Sequence, residues 1–100
     1  MTELHMFQAS AVVGEPSITG YPTGQKHAML IFVQSPSGAK HDNSSAVLAA
    51  SKSGWSEVEI SRSATVGGVP NDQTDEILRN AMLSAIRDGQ SLVVYSDPLA

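Results

Sequence analysis

The sequence predicts an α+β or α/β two-layer sandwich, in which two helices pack on one face of a four-stranded mixed sheet. One observation carries this prediction: an apolar strand, a helix and a closing glycine follow one another twice along the chain. The two units comprise residues 29–33, 35–53 and Gly54, and then residues 55–66, 72–88 and Gly89. One strand precedes these units and one follows them. The predicted order is therefore β-β-α-β-α-β, loosely ferredoxin-like, within a single domain spanning residues 1–100.

The strands are predicted from two kinds of apolar pattern. Residues 4–13 alternate between an apolar and a mixed face, which is typical of a half-buried strand. Residues 28–33 and 92–95 are almost continuously apolar, so we expect both strands to be buried on both faces. Residues 55–66 alternate again, with Val58, Ile60, Ala64 and Val66 expected on one face and Glu57, Glu59, Ser61, Ser63 and Thr65 on the other.

The two helices differ in the strength of their pattern. Residues 72–88 follow the rhythm of an amphipathic helix, which Asn71, Asp72 or Thr74 can cap and Gly89 can end. The first helix is predicted from Ser35 as N-cap and Pro36 at the first helical position. Several poor helix formers follow this start, so the helix can instead begin near Asn43.

Composition excludes several classes of function. The net charge is −4 and the six cationic residues are scattered, which argues against a nucleic-acid partner. Only 16% of the residues are charged, and such a weakly charged surface favours self-association. The absence of cysteine, of a signal-peptide pattern and of a long apolar run predicts a cytoplasmic protein with no membrane partner.

The candidate binding residues lie in two segments. Tyr21 and His27 belong to, or directly follow, the glycine- and proline-rich loop 14–25, where such loops often carry function. Residues 35–40 join a buried strand to a helix start, where free backbone N–H groups can hold a small anion. The binding residues predicted in this turn are Ser35, Ser37, Gly38 and Lys40.

Catalytic, metal and cofactor sites are not predicted. His5 lies among residues expected to be buried, and His41 adjoins Asp42 at an angle that suits neither residue to orient the other. The spacings H-x-x-x-H and H-E-x-x-H are absent, as is the nucleophile pattern G-x-S-x-G.

These observations favour a non-enzymatic binding or interaction module that acts as a homodimer or in a complex with another protein. Its interface is expected on the sheet face that the helices leave open, including the strand at residues 55–66. The alternative is a small enzyme or ligand sensor, with a pocket between sheet and helices near His27 and residues 35–40, and with loop 14–25 as a lid.

Overall fold

The computed structural model describes residues 2–14, 20–66 and 76–99, with residues 96–98 described by their backbone alone. Its elements follow the predicted order of an α+β fold. They are β1 (Thr2–Val13), β2 (Lys26–Pro36), α1 (Asn43–Lys52), β3 (Trp55–Val66), α2 (Glu76–Asp88) and β4 (Gln90–Pro98). The predicted caps Asn71, Asp72 and Thr74, and residues 15–19 of the loop, lie outside the described residues.

The four strands form one sheet in the order β3-β1-β2-β4, and each neighbouring pair is antiparallel. The prediction of a mixed sheet is therefore wrong. β2 and β3, which α1 connects, both run antiparallel to β1 and hence parallel to each other. Because β1 lies between them, this parallel crossover produces no parallel hydrogen-bond ladder.

The two helices cover opposite faces of the sheet, which corrects the prediction that both lie on one face. On β1, Phe7 and Ala9 pack in the core beneath α1, whereas Leu4 and Met6 pack in the core beneath α2. β2 is apolar on both faces and β1 contributes residues to both cores, so each face needs its own cover. The ferredoxin-like description is not confirmed either, because that arrangement has the order β-α-β-β-α-β.

Small side chains bring α1 close to the sheet. Ala46, Ala49 and Ala50 are buried in the core that contains Phe7 and Trp55. The helix begins at Asn43, as the second of the two predicted starts has it, and the Asp42 carboxylate accepts the Ser44 N–H at 3.0 Å. A start at Ser35 is wrong because β2 continues to Pro36, which pairs with Thr2.

A second core lies beneath α2. Ala81, Met82 and Ala85 pack there on Leu4 and Phe32. The Ser91 hydroxyl at the start of β4 donates to the Ala81 carbonyl at 2.5 Å, and this hydrogen bond links β4 to α2. Gly89 ends the helix with a φ of +94°, a left-handed conformation that favours glycine.

β3 is an edge strand whose register against β1 shifts twice, between Gln8 and Ala9 and between Ser10 and Val12 of its partner. Each shift leaves one extra residue in β3, and near the second one Glu57 has a φ of +49°. These bulges overturn the simple alternation predicted for the strand. Val58 and Ile60 pack in the core beneath α1, whereas Val66 packs in the core beneath α2.

Candidate functional site

Five polar side chains meet on the α1 face of the sheet, near the start of β1. We call them the histidine cluster: Glu3, His5, His41, Ser63 and Thr65. They come from β1, from the connection between β2 and α1, and from β3. Ser63 and Thr65 share this face because they pair with Phe7 and His5, two alternate residues of β1.

His41 is held by two hydroxyl groups of the same strand. Its Nδ1 lies 2.7 Å from the Ser63 Oγ, and its Nε2 lies 2.8 Å from the Thr65 Oγ1. A neutral imidazole has one N–H donor and one acceptor nitrogen, whereas a hydroxyl can donate or accept. Both ring nitrogens are therefore satisfied by hydroxyls, while the imidazole remains exposed to solvent.

A carboxylate and a second imidazole lie beneath His41. The rings of His5 and His41 have their centroids 4.5 Å apart. The buried His5 donates from Nε2 to the Glu3 carboxylate at 2.6 Å, and the Gly38 N–H donates to the other Glu3 oxygen at 3.0 Å. The Gly38 N–H, followed by the His5 hydrogen bond, lowers the pKa of Glu3, which stabilises its charged form.

This geometry bears on the predicted anion site in the turn at residues 35–40. Ser35 lies within β2 and pairs with Glu3, so it does not start a helix, and Ser37 and Lys40 are exposed in the connection that follows the strand. The Gly38 N–H, a predicted anion donor, binds the Glu3 carboxylate instead. An incoming anion would have to displace that carboxylate.

A second group of rings surrounds His27 at the opposite end of β2. His27 is fully buried, and its ring lies 4.3 Å from that of Tyr21 and 5.7 Å from that of Trp55, measured between centroids. Its Nδ1 donates to the Tyr95 carbonyl at 2.8 Å, and its Nε2 lies 3.1 Å from the Gln25 Oε1.

The His27–Tyr95 hydrogen bond compensates for an irregular stretch of β4. The register between β2 and β4 shifts between His27 and Met29, which pair with Pro98 and Val94. The imidazole thus gives a partner to a β4 carbonyl within the irregularity. Because His27 is buried and hydrogen-bonded to protein groups, we interpret it as a residue that stabilises the fold.

The structure therefore separates the predicted site residues into two places. Tyr21 and His27 are in contact with each other, whereas Ser35 follows His27 by eight residues along β2, which corresponds to roughly 26 Å. Sequence reasoning missed Glu3, Ser63 and Thr65. The one signal in the sequence was the i, i+2 spacing of the two hydroxyl residues in a strand.

A shallow depression of about 300 Å³ lies on the α2 face, where the helix leaves the sheet uncovered. It is lined by Gln8, Ala9, Ser10, Ala28, Met29, Glu59, Ile60, Ser61 and Tyr95. None of these is a predicted binding residue. The depression is thus distinct from the pocket expected around His27 and residues 35–40.

Comparisons with known proteins give no relative: no family model, curated protein or solved structure matches this chain. In the described part of the chain, no group of three or more His, Asp or Glu side chains is placed to hold a metal ion. Neither described helix has the length and apolar character needed to cross a bilayer.

Proposed function

We propose that this protein is an interaction module that acts as a homodimer, and that the two copies join through the free edge of β4. The observation that carries the proposal is the character of this edge. β4 is the last strand of the sheet, and no described strand pairs with its outer side. Residues 91–95 (Ser-Leu-Val-Val-Tyr) contain no charge, proline or glycine. An uncharged and largely apolar edge segment of this kind is a ready template for pairing with another strand.

The opposite edge supports the proposal by contrast. β3 carries two bulges, a left-handed residue at Glu57, and the exposed charges of Glu59 and Arg62. Bulges and charges are the means by which natural edge strands avoid pairing with other chains. On β4 the pairing with β2 is regular from Gln90 to Val94. In the described part of the chain, the features that oppose pairing extend along β3, whereas on β4 the register shift, Asp97 and Pro98 are confined to the C-terminal end of the strand.

A second copy of the chain suits the β4 edge, because this segment is self-complementary in an antiparallel pair. With Val93 on the twofold axis, Val93 meets its own copy and Leu92 meets Val94 of the partner subunit. No like charges oppose each other in this register. Val93 belongs to the periphery of the α2 core, and Leu92 and Val94 to that of the α1 core. The pair would extend both cores across the axis.

This interface differs from the one predicted from the sequence. Neither face of the sheet is open as a whole, because a helix packs on each face, although α2 leaves part of its face uncovered. The reasons for expecting self-association remain the low charge content of the chain and the absence of charged residues from positions 90–96 of β4. These reasons now support pairing through the edge of β4 instead of through a face of the sheet.

The test is the solution mass, measured by light scattering over a concentration series, together with amide hydrogen exchange of residues 91–95. We expect twice the monomer mass, and protection of alternate β4 amides that increases with protein concentration. Leu92→Lys should give a monomer, since a lysine on an edge strand opposes pairing. Ala64→Lys on the exposed edge strand β3 is the matched control and should leave the dimer intact.

Two results would contradict the proposal. One is a wild-type monomer whose β4 amides exchange rapidly at the highest concentration. The other is a dimer that survives Leu92→Lys and dissociates on Ala64→Lys. The exchange measurement uses the unmodified chain, so it decides the matter even if Leu92→Lys fails to fold.

A further inference from the structure

The histidine cluster has a chemical capacity that self-association does not use. A serine hydroxyl and an imidazole lie 2.7 Å apart, within the range in which a base can remove the hydroxyl proton. The two residues are 22 positions apart in the chain and are brought together by the fold. Ser63 is half-buried and His41 is exposed, so a small molecule in solution can reach both.

The hydrogen bonds of His41 can fix the tautomer that a base requires. With Nε2–H donating to the Thr65 Oγ1, Nδ1 carries the lone pair that faces the Ser63 hydroxyl. Ser63 and Thr65 both anchor the ring from one strand face, two residues apart. Thr65 thus takes the orienting place that a carboxylate has in other nucleophile–base pairs, and it acts as a positioning residue.

Glu3 and His5 favour the positive charge that forms on His41 when it accepts a proton. When His41 accepts a proton, it becomes a cation. The Glu3 carboxylate, held in its charged form by Gly38 and His5, attracts that cation electrostatically. The ring of His5 contacts both groups: its Nε2 binds the Glu3 carboxylate, and its centroid lies 4.5 Å from that of the His41 ring. The cluster therefore brings together a hydroxyl, an imidazole beside it, a second hydroxyl that holds the imidazole, and a carboxylate.

We propose that Ser63 is an activated nucleophile that accepts an acyl group from small activated esters, with His41 as its general base. The Ser63 Oγ forms a bond to the carbonyl carbon of the ester, and the bond from that carbon to the leaving oxygen breaks. The Ser63 proton passes to Nδ1 of His41 and from there to the leaving oxygen. The products are an acylated Ser63 and a free alcohol or phenol, and no electron donor or acceptor is required.

The test uses p-nitrophenyl acetate as the probe, with peptide mapping by mass spectrometry to locate the acetyl group. We expect Ser63 to be acetylated at least about 10² times faster in the wild-type chain than in His41→Asn, the range that a positioned base contributes. Ser63→Ala should abolish this labelling. Ser61→Ala is the matched control on the same strand, since the Ser61 hydroxyl donates to the Gln8 carbonyl at 3.0 Å and has no imidazole beside it.

The pH profile provides a readout that a purely structural role of His41 would not change. The pH dependence of the Ser63 labelling rate should differ between the wild-type chain and His41→Asn, because only the wild-type chain has an imidazole beside the hydroxyl. The proposal is overturned if Ser63 reacts no faster than Ser61, or if the acetyl group resides on the His41 ring. It is equally overturned if folded His41→Asn labels at the wild-type rate. None of these results depends on whether the chain dimerises.

Discussion

The packing of α1 leads to a sharp prediction at Ala50. This residue is fully buried in the core beneath α1, where Phe7, Ile31 and Trp55 are also buried. Ala50→Leu adds three carbon atoms at a position where the helix already lies close to the sheet. The side chain can be placed only by moving the helix or by forcing neighbours out of their preferred rotamers. Such overpacking costs about 1–3 kcal/mol.

The assay is thermal unfolding followed by circular dichroism, with urea unfolding as a second measure. For a chain of this length, about 1 kcal/mol corresponds to a change in Tm of about 4–8 °C. We therefore expect Ala50→Leu to lower Tm by about 4–24 °C. Ser51→Leu introduces the same side chain at the next, exposed position of the helix and should change stability by less than about 0.5 kcal/mol.

Comparable Tm values for Ala50→Leu and Ser51→Leu would refute the reasoning. They would mean that α1 presents a different side to the sheet, or that the core beneath it can accept a leucine without strain. The helix propensities of alanine, serine and leucine differ by less than about 0.7 kcal/mol, so a larger difference between the two variants reports packing.

Three further predictions concern single side chains. Glu3→Gln should flatten the acid limb of the stability profile in urea titrations at different pH values. The pKa of Glu3 is lowered in the folded state, so its stabilisation is present above about pH 4.5 and is lost as the pH falls through the folded value. Glu57→Gly should raise stability by about 0.5–1 kcal/mol by relieving the left-handed backbone, whereas Glu59→Gly in the same strand should lower it by a similar amount. His27→Leu should cost about 1–3 kcal/mol and speed amide exchange beyond Val94, because it leaves the Tyr95 carbonyl without its donor.

The sequence carried much of the fold in local signals. The glycines at 54 and 89 mark the ends of both helices, since both have a positive φ in the structure. The strand at residues 55–66 has the predicted bounds. The start of α1 was ambiguous because Ser35 and Pro36 form a good local helix start. Pairing of β1 with β2 over its full length outweighed that signal and kept both residues in the strand.

The sequence contains a signal for helices on both faces of the sheet. The continuous apolar run at residues 28–33 implies that both faces of the central strand are buried, and hence that each face has a cover. The structure agrees: Ile31 belongs to the core beneath α1 and Phe32 to the core beneath α2. A sheet with one open face was inconsistent with that run.

The histidine cluster could not be derived from the sequence, for two physical reasons. His41 was expected inside a helix beside Asp42, whereas it precedes α1 and Asp42 is the helix cap. The partners of His41 lie on β3. The face that they occupy depends on a bulge that no local sequence pattern predicts. Long-range pairing with an irregular register is decided by how the whole sheet packs.

The bulge near Ser61 makes the cluster depend on whether the number of residues in β3 is odd or even. Side chains alternate along a strand, so Ser63 would lie opposite to Ile60 in a regular strand; the extra residue places both on the α1 side. A chain lacking Ser61 could form a regular ladder and still present Ser63 to His41. A strand that kept all its residues but lost the bulge would turn Ser63 away. The effect of an insertion in β3 should therefore depend on whether it adds an odd or an even number of residues. One added residue should turn Ser63 and Thr65 to the face away from His41 unless a further bulge accommodates it. Two added residues should return both hydroxyls to the α1 face.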